Sequence, residues 1–101
     1  MNYLISYDIS DNRLRLKAAK EILRAGLHRI QRSVFLGEMR TATATQLTAQ
    51  LERLSQSTDW NSEDSIFFLP LHKYTKNHQK MIGNQRQDWD LIYQNIHTLV
   101  L

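Results

Sequence analysis

The stretch Tyr3-Leu4-Ile5-Ser6-Tyr7-Asp8-Ile9-Ser10-Asp11 decides the fold that we predict for this chain of 101 residues. Residues 3–9 are rich in Tyr, Ile and Leu and alternate weakly, which is typical of a mostly buried strand. The strand delivers one carboxylate, Asp8, to its end, before a polar turn and a basic helix. Such an arrangement can hold a metal ion against a phosphate. The alternative interpretation is a buried first strand with an ordinary turn.

A basic amphipathic helix is predicted to follow this strand, over residues 12–25. Its apolar positions repeat at helical spacing, with cations on the remaining surface. The apolar positions are Leu14, Ala18, Ile22 and Ala25, with Ala19 and Leu23 beside them, and the cations are Arg13, Arg15, Lys17, Lys20 and Arg24. Residues 10–12 can each cap the first turn, and Gly26 is suited to close the last one.

Residues 27–40 predict two short strands, because this β-prone stretch is too long for one average strand. We expect a bend or turn near residues 31–33, and Gly37 indicates a bulge or a close backbone approach. A second helix is predicted to begin at the capping-box pattern Thr43-Ala44-Thr45-Gln46 and to continue to about residue 56.

An apolar run over residues 65–71 predicts a buried strand, which Pro70 ends or places at an edge. Residues 55–64 before it are expected to form a polar loop. Beyond it we expect a short helix before Gly83, a helical face from Trp89 to Ile96 and a terminal strand over residues 97–101.

The order of these elements, β-α-β-β-α-β, predicts the α+β class and a ferredoxin-like sandwich in a single domain over residues 1–101. Residues 1–71 would form its core, and residues 72–101 a tail with an extra C-terminal strand. With both helices on one face of the sheet, the other face would be bare unless a second subunit covered it. We therefore expect a homodimer, most simply with two-fold symmetry, on which the tail packs.

The amino-acid composition limits which cellular compartments and which partners are compatible with this chain. The net charge of +3 makes the chain mildly basic, which is compatible with a nucleic-acid partner. The absence of cysteine excludes disulfides and thiolate metal sites and favours a reducing compartment. No stretch approaches the roughly 20 apolar residues of a membrane span, so we expect a soluble, cytoplasmic protein without a membrane partner.

Two motifs resemble those of a known family, CRISPR-associated protein two, the small subunit of the machinery that acquires new spacers. The first motif is Tyr7-Asp8-Ile9-Ser10-Asp11, together with the basic first helix. The second, more specific motif is Gln31-Arg32-Ser33-Val34-Phe35-Leu36-Gly37-Glu38. The resemblance covers the order of elements over residues 1–71 and is only general beyond them.

This resemblance implies a ferredoxin-like homodimer in which a C-terminal strand often packs on the partner's sheet. It implies metal-dependent phosphodiesterase activity on RNA or DNA in some members. It also implies a structural role that bridges two dimers of the CRISPR integrase, protein one, while DNA lies across the assembly. Mg²⁺ or another divalent cation is the expected cofactor, because one or two carboxylates and a substrate phosphate are its usual ligands.

Asp8 is the residue that we expect to hold the metal and to be central to catalysis. A two-fold axis near the strand end would bring two Asp8 side chains together and supply the carboxylate that one chain lacks. Arg15, Arg29, Ser33 and Phe35 complete the predicted catalytic set. Ser33 would hydrogen-bond a phosphate or a water, and Phe35 would pack near the site or the dimer seam.

The resemblance places activity-influencing cations at Arg15, Lys17 and Arg29, and guanidinium groups are suited to bind phosphate bidentately. A solvated helix surface explains Lys17 equally well. Asp11 is interpreted as a helix cap, with a second metal ligand as the alternative. The four histidines, His28, His72, His78 and His97, show no zinc-type spacing.

Three functions compete on this sequence. We expect a homodimeric subunit of the spacer-acquisition machinery with Mg²⁺-dependent endonuclease activity on RNA or DNA, centred on paired Asp8 side chains. The alternatives are a non-catalytic scaffold that positions DNA for the integrase, and a toxin-type endoribonuclease on the same fold.

Overall fold

The computed structural model describes residues 1–71 and 80–83. These residues form, in chain order, β1 (Asn2–Asp8), α1 (Asn12–Arg24), β2 (His28–Gln31), β3 (Val34–Glu38), α2 (Thr41–Leu54), β4 (Ser65–Pro70) and β5 (Lys80–Gly83). The predicted order β-α-β-β-α-β is therefore confirmed, and one further strand follows it. Neither helix of this described part is long and apolar enough to cross a membrane.

The strands of the described residues form one antiparallel sheet in the order β2-β3-β1-β4-β5. The first four strands and the two helices are compatible with the ferredoxin-like sandwich of the α+β class. β1 is central, and its two neighbours reach different lengths along it. Pairing with β3 runs to Ser6 opposite Val34, whereas pairing with β4 runs to Asp8 opposite Ser65.

Both helices pack on one face of the sheet, as predicted. Each helix buries apolar residues spaced one turn apart, which places them on a single stripe. Alternate residues of the strands point to the same side. The resulting core contains Leu14, Ala18 and Ile22 from α1, Ala44, Leu47 and Leu51 from α2, and Ile5, Tyr7, Phe35, Ile66 and Phe68 from the strands. Leu23, predicted to lie beside the apolar stripe, is instead 46% exposed.

The opposite face of the sheet carries a second apolar cluster, and the expectation that this face would be bare without a second subunit is wrong for the centre of that cluster. Leu4, Phe67 and Leu69 are at most 1% exposed in the single chain, and Val34 and Leu36 pack partly buried against them. An unbroken apolar run such as β4 is typical of a strand buried on both faces. A second subunit is therefore not needed to cover these three residues, and the homodimer stays a proposal.

The two helices begin differently from one another. Asp11 caps α1 as predicted, because its Oδ2 accepts a hydrogen bond of 2.9 Å from the Leu14 N–H. The capping box predicted at Thr43 is wrong, because α2 begins at Thr41 with Arg40 as a cap that makes no side-chain cap bond. The Thr45 hydroxyl donates to the Thr41 carbonyl one turn back, which is a bond of a helix interior.

The β2–β3 hairpin confirms the predicted turn and close approach. Gly37 on β3 lies so near the start of the hairpin that a Cβ there would be 2.8 Å from the Leu27 Cα. The irregular register lies elsewhere, in β2 between Arg29 and Gln31. A backbone φ of +101° at Gly26, just after α1, fits the predicted helix end.

β5 corrects the last part of the short helix that was predicted before Gly83, whereas residues 72–79 lie outside the described residues. Residues 80–83 instead pair antiparallel with Ser65–Phe68, since β4 offers them backbone partners that local helix propensity does not outweigh. Pro70 lies beyond this pairing and ends β4, as predicted. The helical face from Trp89 to Ile96 and the terminal strand over residues 97–101 lie outside the described residues.

Candidate active site

Asp8 stands exposed at the end of β1, where the strand meets a cavity of about 400 Å³. The cavity lies between the first turns of α1 and the turn of the β2–β3 hairpin. Because β3 stops pairing two residues before the end of β1, the β3 side of this strand end is open, whereas the β4 side still holds the Asp8 backbone. The topology thus presents this carboxylate to the cavity from a fixed strand.

Three guanidinium groups line the cavity together with that carboxylate. Arg15 comes from α1, Arg29 from β2 and Arg32 from the hairpin turn, and all three are exposed. The wall is therefore net positive, which attracts phosphate groups. Arg32 was not singled out from the sequence, although it stands inside the second motif beside Ser33. Lys17 is exposed on α1 but is not among the residues that line the cavity.

Arg15 turns its side chain back onto the loop between β1 and α1. Its Nη1 donates to the carbonyls of Ile9 at 3.3 Å and Ser10 at 3.4 Å, and its Nη2 donates to Asn12 Oδ1 at 3.0 Å. A cation in the first turn of a helix opposes the helix dipole, and these carbonyls compensate it. Arg15 therefore holds the segment that follows Asp8 while it contributes charge to the cavity wall.

Arg29 rests on the aromatic core. Its guanidinium carbon lies 5.1 Å from the centroid of the Phe35 ring, within the range of a cation–π interaction. The centroids of the Tyr7 and Phe35 rings lie 5.8 Å apart, and the two ring planes are tilted relative to each other. Phe35 is 0% exposed and is not among the residues that line the cavity, so its predicted packing near the site is observed. We describe Phe35 as a residue that positions Arg29 rather than as a catalytic one.

Tyr7 lines the cavity from the core side and is 6% exposed. Burial raises the pKa of its phenol above the ordinary 10.0, although the charges of Arg29 and Arg15 oppose part of that rise. The phenol is therefore neutral at physiological pH. Tyr7 can donate or accept a hydrogen bond there, but it does not act as an anionic base.

Ser33 lies half-buried in the hairpin turn and lines the cavity. Its carbonyl accepts a 3.1 Å hydrogen bond from the Tyr7 N–H, which ties the turn to β1 next to Asp8. The structure thus brings together Asp8, Arg15, Arg29 and Ser33, four of the five residues predicted as catalytic, with Phe35 directly behind them.

Asp8 is the acidic residue among those that line this cavity, because Asp11 points its Oδ2 at the α1 backbone and is not part of the wall. The described residues contain no group of three or more His, Asp or Glu side chains able to hold a metal ion. Mg²⁺ needs less than such a group, since one or two carboxylates, waters and a substrate phosphate are its usual ligands. One exposed carboxylate beside the cavity is therefore compatible with a Mg²⁺ ion whose other ligands are waters and a substrate phosphate.

The fold and the cavity define a class: small α+β proteins with a ferredoxin-like sheet, whose central strand carries a carboxylate into a cationic cavity. A family model described as CRISPR associated protein Cas2 matches residues 1–79, which include every residue of that cavity. The chain belongs to this family, and the resemblance drawn from its two motifs is confirmed.

Curated relatives agree with the family match. The CRISPR-associated endoribonuclease Cas2 2 of Pyrobaculum aerophilum is 36% identical over 67 residues, which are 66% of this chain and 71% of the relative. The CRISPR-associated endoribonuclease Cas2 of Korarchaeum cryptofilum is 35% identical over 71 residues, 70% of this chain and 72% of the relative. The CRISPR-associated endoribonuclease Cas2 1 of Francisella tularensis subsp. novicida is 33% identical over 91 residues, 87% and 89% of the two chains.

Proposed function

We propose that this chain is a subunit of the CRISPR spacer-acquisition machinery and a Mg²⁺-dependent endonuclease that bridges the integrase and DNA. The observation that carries the proposal is the exposed Asp8 at the end of the central strand, facing a cavity that Arg15, Arg29 and Arg32 make positive. Because the names of the relatives specify endoribonucleases, RNA is the first substrate to test.

The residues of the cavity would divide the work on a phosphodiester. Arg29 and Arg32 would bind its phosphate from the hairpin, and Arg15 from α1, with each hydrogen bond to a charged group contributing about 1.5–3 kcal/mol. Asp8 would hold Mg²⁺, which when bound supplies charge neutralisation and a more acidic water. Tyr7 and Ser33 would offer neutral hydrogen-bonding groups beside the scissile bond.

A homodimer is the proposed source of the second carboxylate. One chain brings a single carboxylate to the cavity, and a two-fold axis near the end of β1 would bring a second Asp8 towards the first. The partly buried Ile30, Val34 and Leu36 lie on the sheet face away from the helices and give a partner apolar surface to cover. Residues 84–101 of the tail are proposed to pack on that partner, whereas residues 80–83 pair with β4 of their own chain.

The substitution Asp8→Asn tests the enzyme. We expect it to lower cleavage of RNA in Mg²⁺ by about a hundredfold or more, because the ion supplies several kcal/mol of charge stabilisation. Asp59→Asn is the matched control, since it makes the same change at an exposed carboxylate in the loop before β4. Wild-type protein that cleaves neither RNA nor DNA across divalent metals and pH would contradict the enzyme proposal.

Sedimentation and mixed dimers test the pairing of Asp8. We expect a dimer at micromolar concentration, and we expect a dimer with one Asp8→Asn subunit to lose most of its cleavage, because each ion would draw on both chains. A monomer in solution, or mixed dimers with half of the wild-type rate, would contradict the paired site.

The second candidate function is a DNA-positioning scaffold without catalysis. The excess of cations over carboxylates in the cavity favours it, because such a surface holds a phosphate backbone electrostatically whether or not a bond is cut. Loss of cleavage in Asp8→Asn with intact integrase binding and spacer acquisition would make the scaffold role primary. A gene neighbourhood without an integrase or a repeat array would instead favour a toxin-type endoribonuclease.

A further inference from the structure

Asp64 is a buried carboxylate that the proposed mechanism does not use. It stands directly before β4 and is 2% exposed. An acidic side chain is almost never fully buried unless it is paired or hydrogen-bonded, because leaving water is costly for a charge. The hydrogen bonds of Asp64 therefore indicate which structural role this buried carboxylate has.

These bonds connect two loops that are distant in sequence. Asp64 Oδ1 accepts from the Ser10 N–H at 3.0 Å and from the Ser10 hydroxyl at 3.1 Å, across 54 positions of the chain. Its Oδ2 accepts from the Asn61 N–H at 2.9 Å, which fixes the carboxylate within its own loop. Both oxygens thus accept hydrogen bonds, and Ser10 donates two of the three.

Ser10 is held from its other side as well. Its carbonyl accepts from Arg15 Nη1 at 3.4 Å, and so does the carbonyl of Ile9 at 3.3 Å. Asp64 therefore accepts hydrogen bonds from the N–H and the hydroxyl of Ser10, and Arg15 donates hydrogen bonds to the carbonyls of Ile9 and Ser10. Ser10 is two residues after Asp8, the proposed metal ligand. The backbone that follows Asp8 is therefore held by the Asp64 carboxylate on one side and by the Arg15 guanidinium on the other.

We propose that Asp64 is a positioning residue for Asp8 and acts through Ser10. A loop between strand and helix is ordinarily a mobile part of a fold, and a metal site needs its ligands held to within about half an ångström. The carboxylate meets this need because it offers acceptors on both oxygens, whereas an amide would offer only one. The effect on cleavage rests on the proposed function, but the fixing of the loop does not.

Asp64→Asn and Ser10→Ala test this role, with Asp59→Asn as the control for a lost charge in the same loop region. Ser10→Ala removes only the hydroxyl bond, and at an exposed position, so it tests the contact even where Asp64→Asn fails to fold. The first measurement is amide hydrogen exchange. We expect exchange at residues 9–12 to accelerate about tenfold or more in Asp64→Asn, and less in Ser10→Ala, because a bond to a charged group is weakened or lost.

The second measurement is metal binding without substrate, with Mn²⁺ as the probe. We expect the dissociation constant to rise several-fold in both variants and to stay at the wild-type value in Asp59→Asn. In RNA cleavage, the Mg²⁺ concentration for half-maximal rate should rise in parallel while KM for RNA is unchanged, so that excess Mg²⁺ restores the rate.

The outcomes separate this proposal from the proposed function. Wild-type protein without cleavage would end the endonuclease proposal, while local hydrogen exchange would still decide the role of Asp64. Wild-type exchange at residues 9–12 together with wild-type Mn²⁺ affinity in both variants would overturn the positioning role. Faster exchange spread evenly over the whole sheet would also overturn it, because Asp64 would then stabilise the fold in general.

Discussion

The guanidinium carbon of Arg29 lies 5.1 Å from the centre of the Phe35 ring, so that a cation of the cavity wall rests on a fully buried side chain. The same ring contacts Tyr7, the neighbour of Asp8 on β1. The aromatic core and the cavity are therefore one connected structure. Substitutions at Arg29 or Phe35 are therefore expected to alter the cavity as well as the packing behind it.

Arg29→Ala is expected to weaken RNA binding about tenfold or more at moderate salt, because one charge-assisted contact to phosphate is lost. The cost in stability should stay near or below about 1 kcal/mol, the size of an exposed cation–π contact. Arg29→Lys should recover only the salt-dependent part of the lost RNA affinity, since an ammonium does not bind phosphate bidentately. Fluorescence anisotropy with labelled RNA measures the binding.

Arg40→Ala is the matched control for this series. Arg40 is exposed and follows Met39, whose N–H bonds to the Met1 carbonyl at the opposite end of β1 from Asp8. Equal losses of affinity in Arg29→Ala and Arg40→Ala would show diffuse attraction to the whole surface rather than binding in the cavity.

Tyr7→Phe is expected to change the dependence of stability on alkaline pH. The pKa of Tyr7 is raised in the folded chain, so the unfolded chain ionises first as pH increases. The contribution of the neutral phenol is therefore complete below about pH 10 and declines above it. Urea unfolding at pH 8 and pH 10.5 should show a smaller decline in Tyr7→Phe than in wild type, with Tyr3→Phe controlling for loss of a hydroxyl from β1. Equal declines in wild type and Tyr7→Phe would contradict the raised pKa.

Gly37→Ala is expected to destabilise the fold by about 1–3 kcal/mol, because the added methyl group would overlap rigid backbone. The new Cβ would lie 2.8 Å from the Leu27 Cα and 3.2 Å from the Gly26 carbonyl oxygen. Urea unfolding measures the change. Glu38→Ala at the next, exposed position of β3 should stay within about 0.5 kcal/mol of wild type, and similar values for the two variants would show that the hairpin relaxes freely.

Asp11→Ala is expected to cost about 1 kcal/mol, the typical value of a helix cap. Asp11→Asn should keep both stability and cleavage, because an amide oxygen can accept the same bond from Leu14. Thermal unfolding and RNA cleavage measure the two properties. A loss of cleavage in Asp11→Asn as large as that in Asp8→Asn would show that Asp11 is a metal ligand after all.

The parts of the fold that were predictable are those in which local pattern and tertiary packing agree. The spacing of Leu14, Ala18 and Ile22 defines α1 without knowledge of its partner, and Asp11 and Gly26 mark its two ends. β5 was not predictable in this way, because residues 80–83 owe their strand to backbone partners on β4, which no local pattern reveals.

The residues of the candidate site also differ in whether the sequence alone could identify them. Asp8, Arg15 and Ser33 could be named because the two motifs and the basic first helix carry them, and Arg29 because the resemblance places a cation there. The fold brings all four to one cavity. Asp64 could not be named, because an acid at the end of a polar loop looks like any solvated residue until its burial is known. The false capping box at Thr43 has a similar cause: threonine hydroxyls bond equally well to helix carbonyls one turn earlier.

The uneven pairing along β1 divides the support of the site between two strands. The carboxylate is anchored through β4, by Asp8 opposite Ser65, while the cations Arg29 and Arg32 are carried by a hairpin whose strand pairing to β1 ends at Ser6. A change in the length of the hairpin tip is therefore expected to disturb the hydrogen bond from the Tyr7 N–H to the Ser33 carbonyl, while the pairing of Asp8 with Ser65 keeps the backbone of Asp8 in place. Substrate preference could diversify at that tip while Asp8 keeps its place.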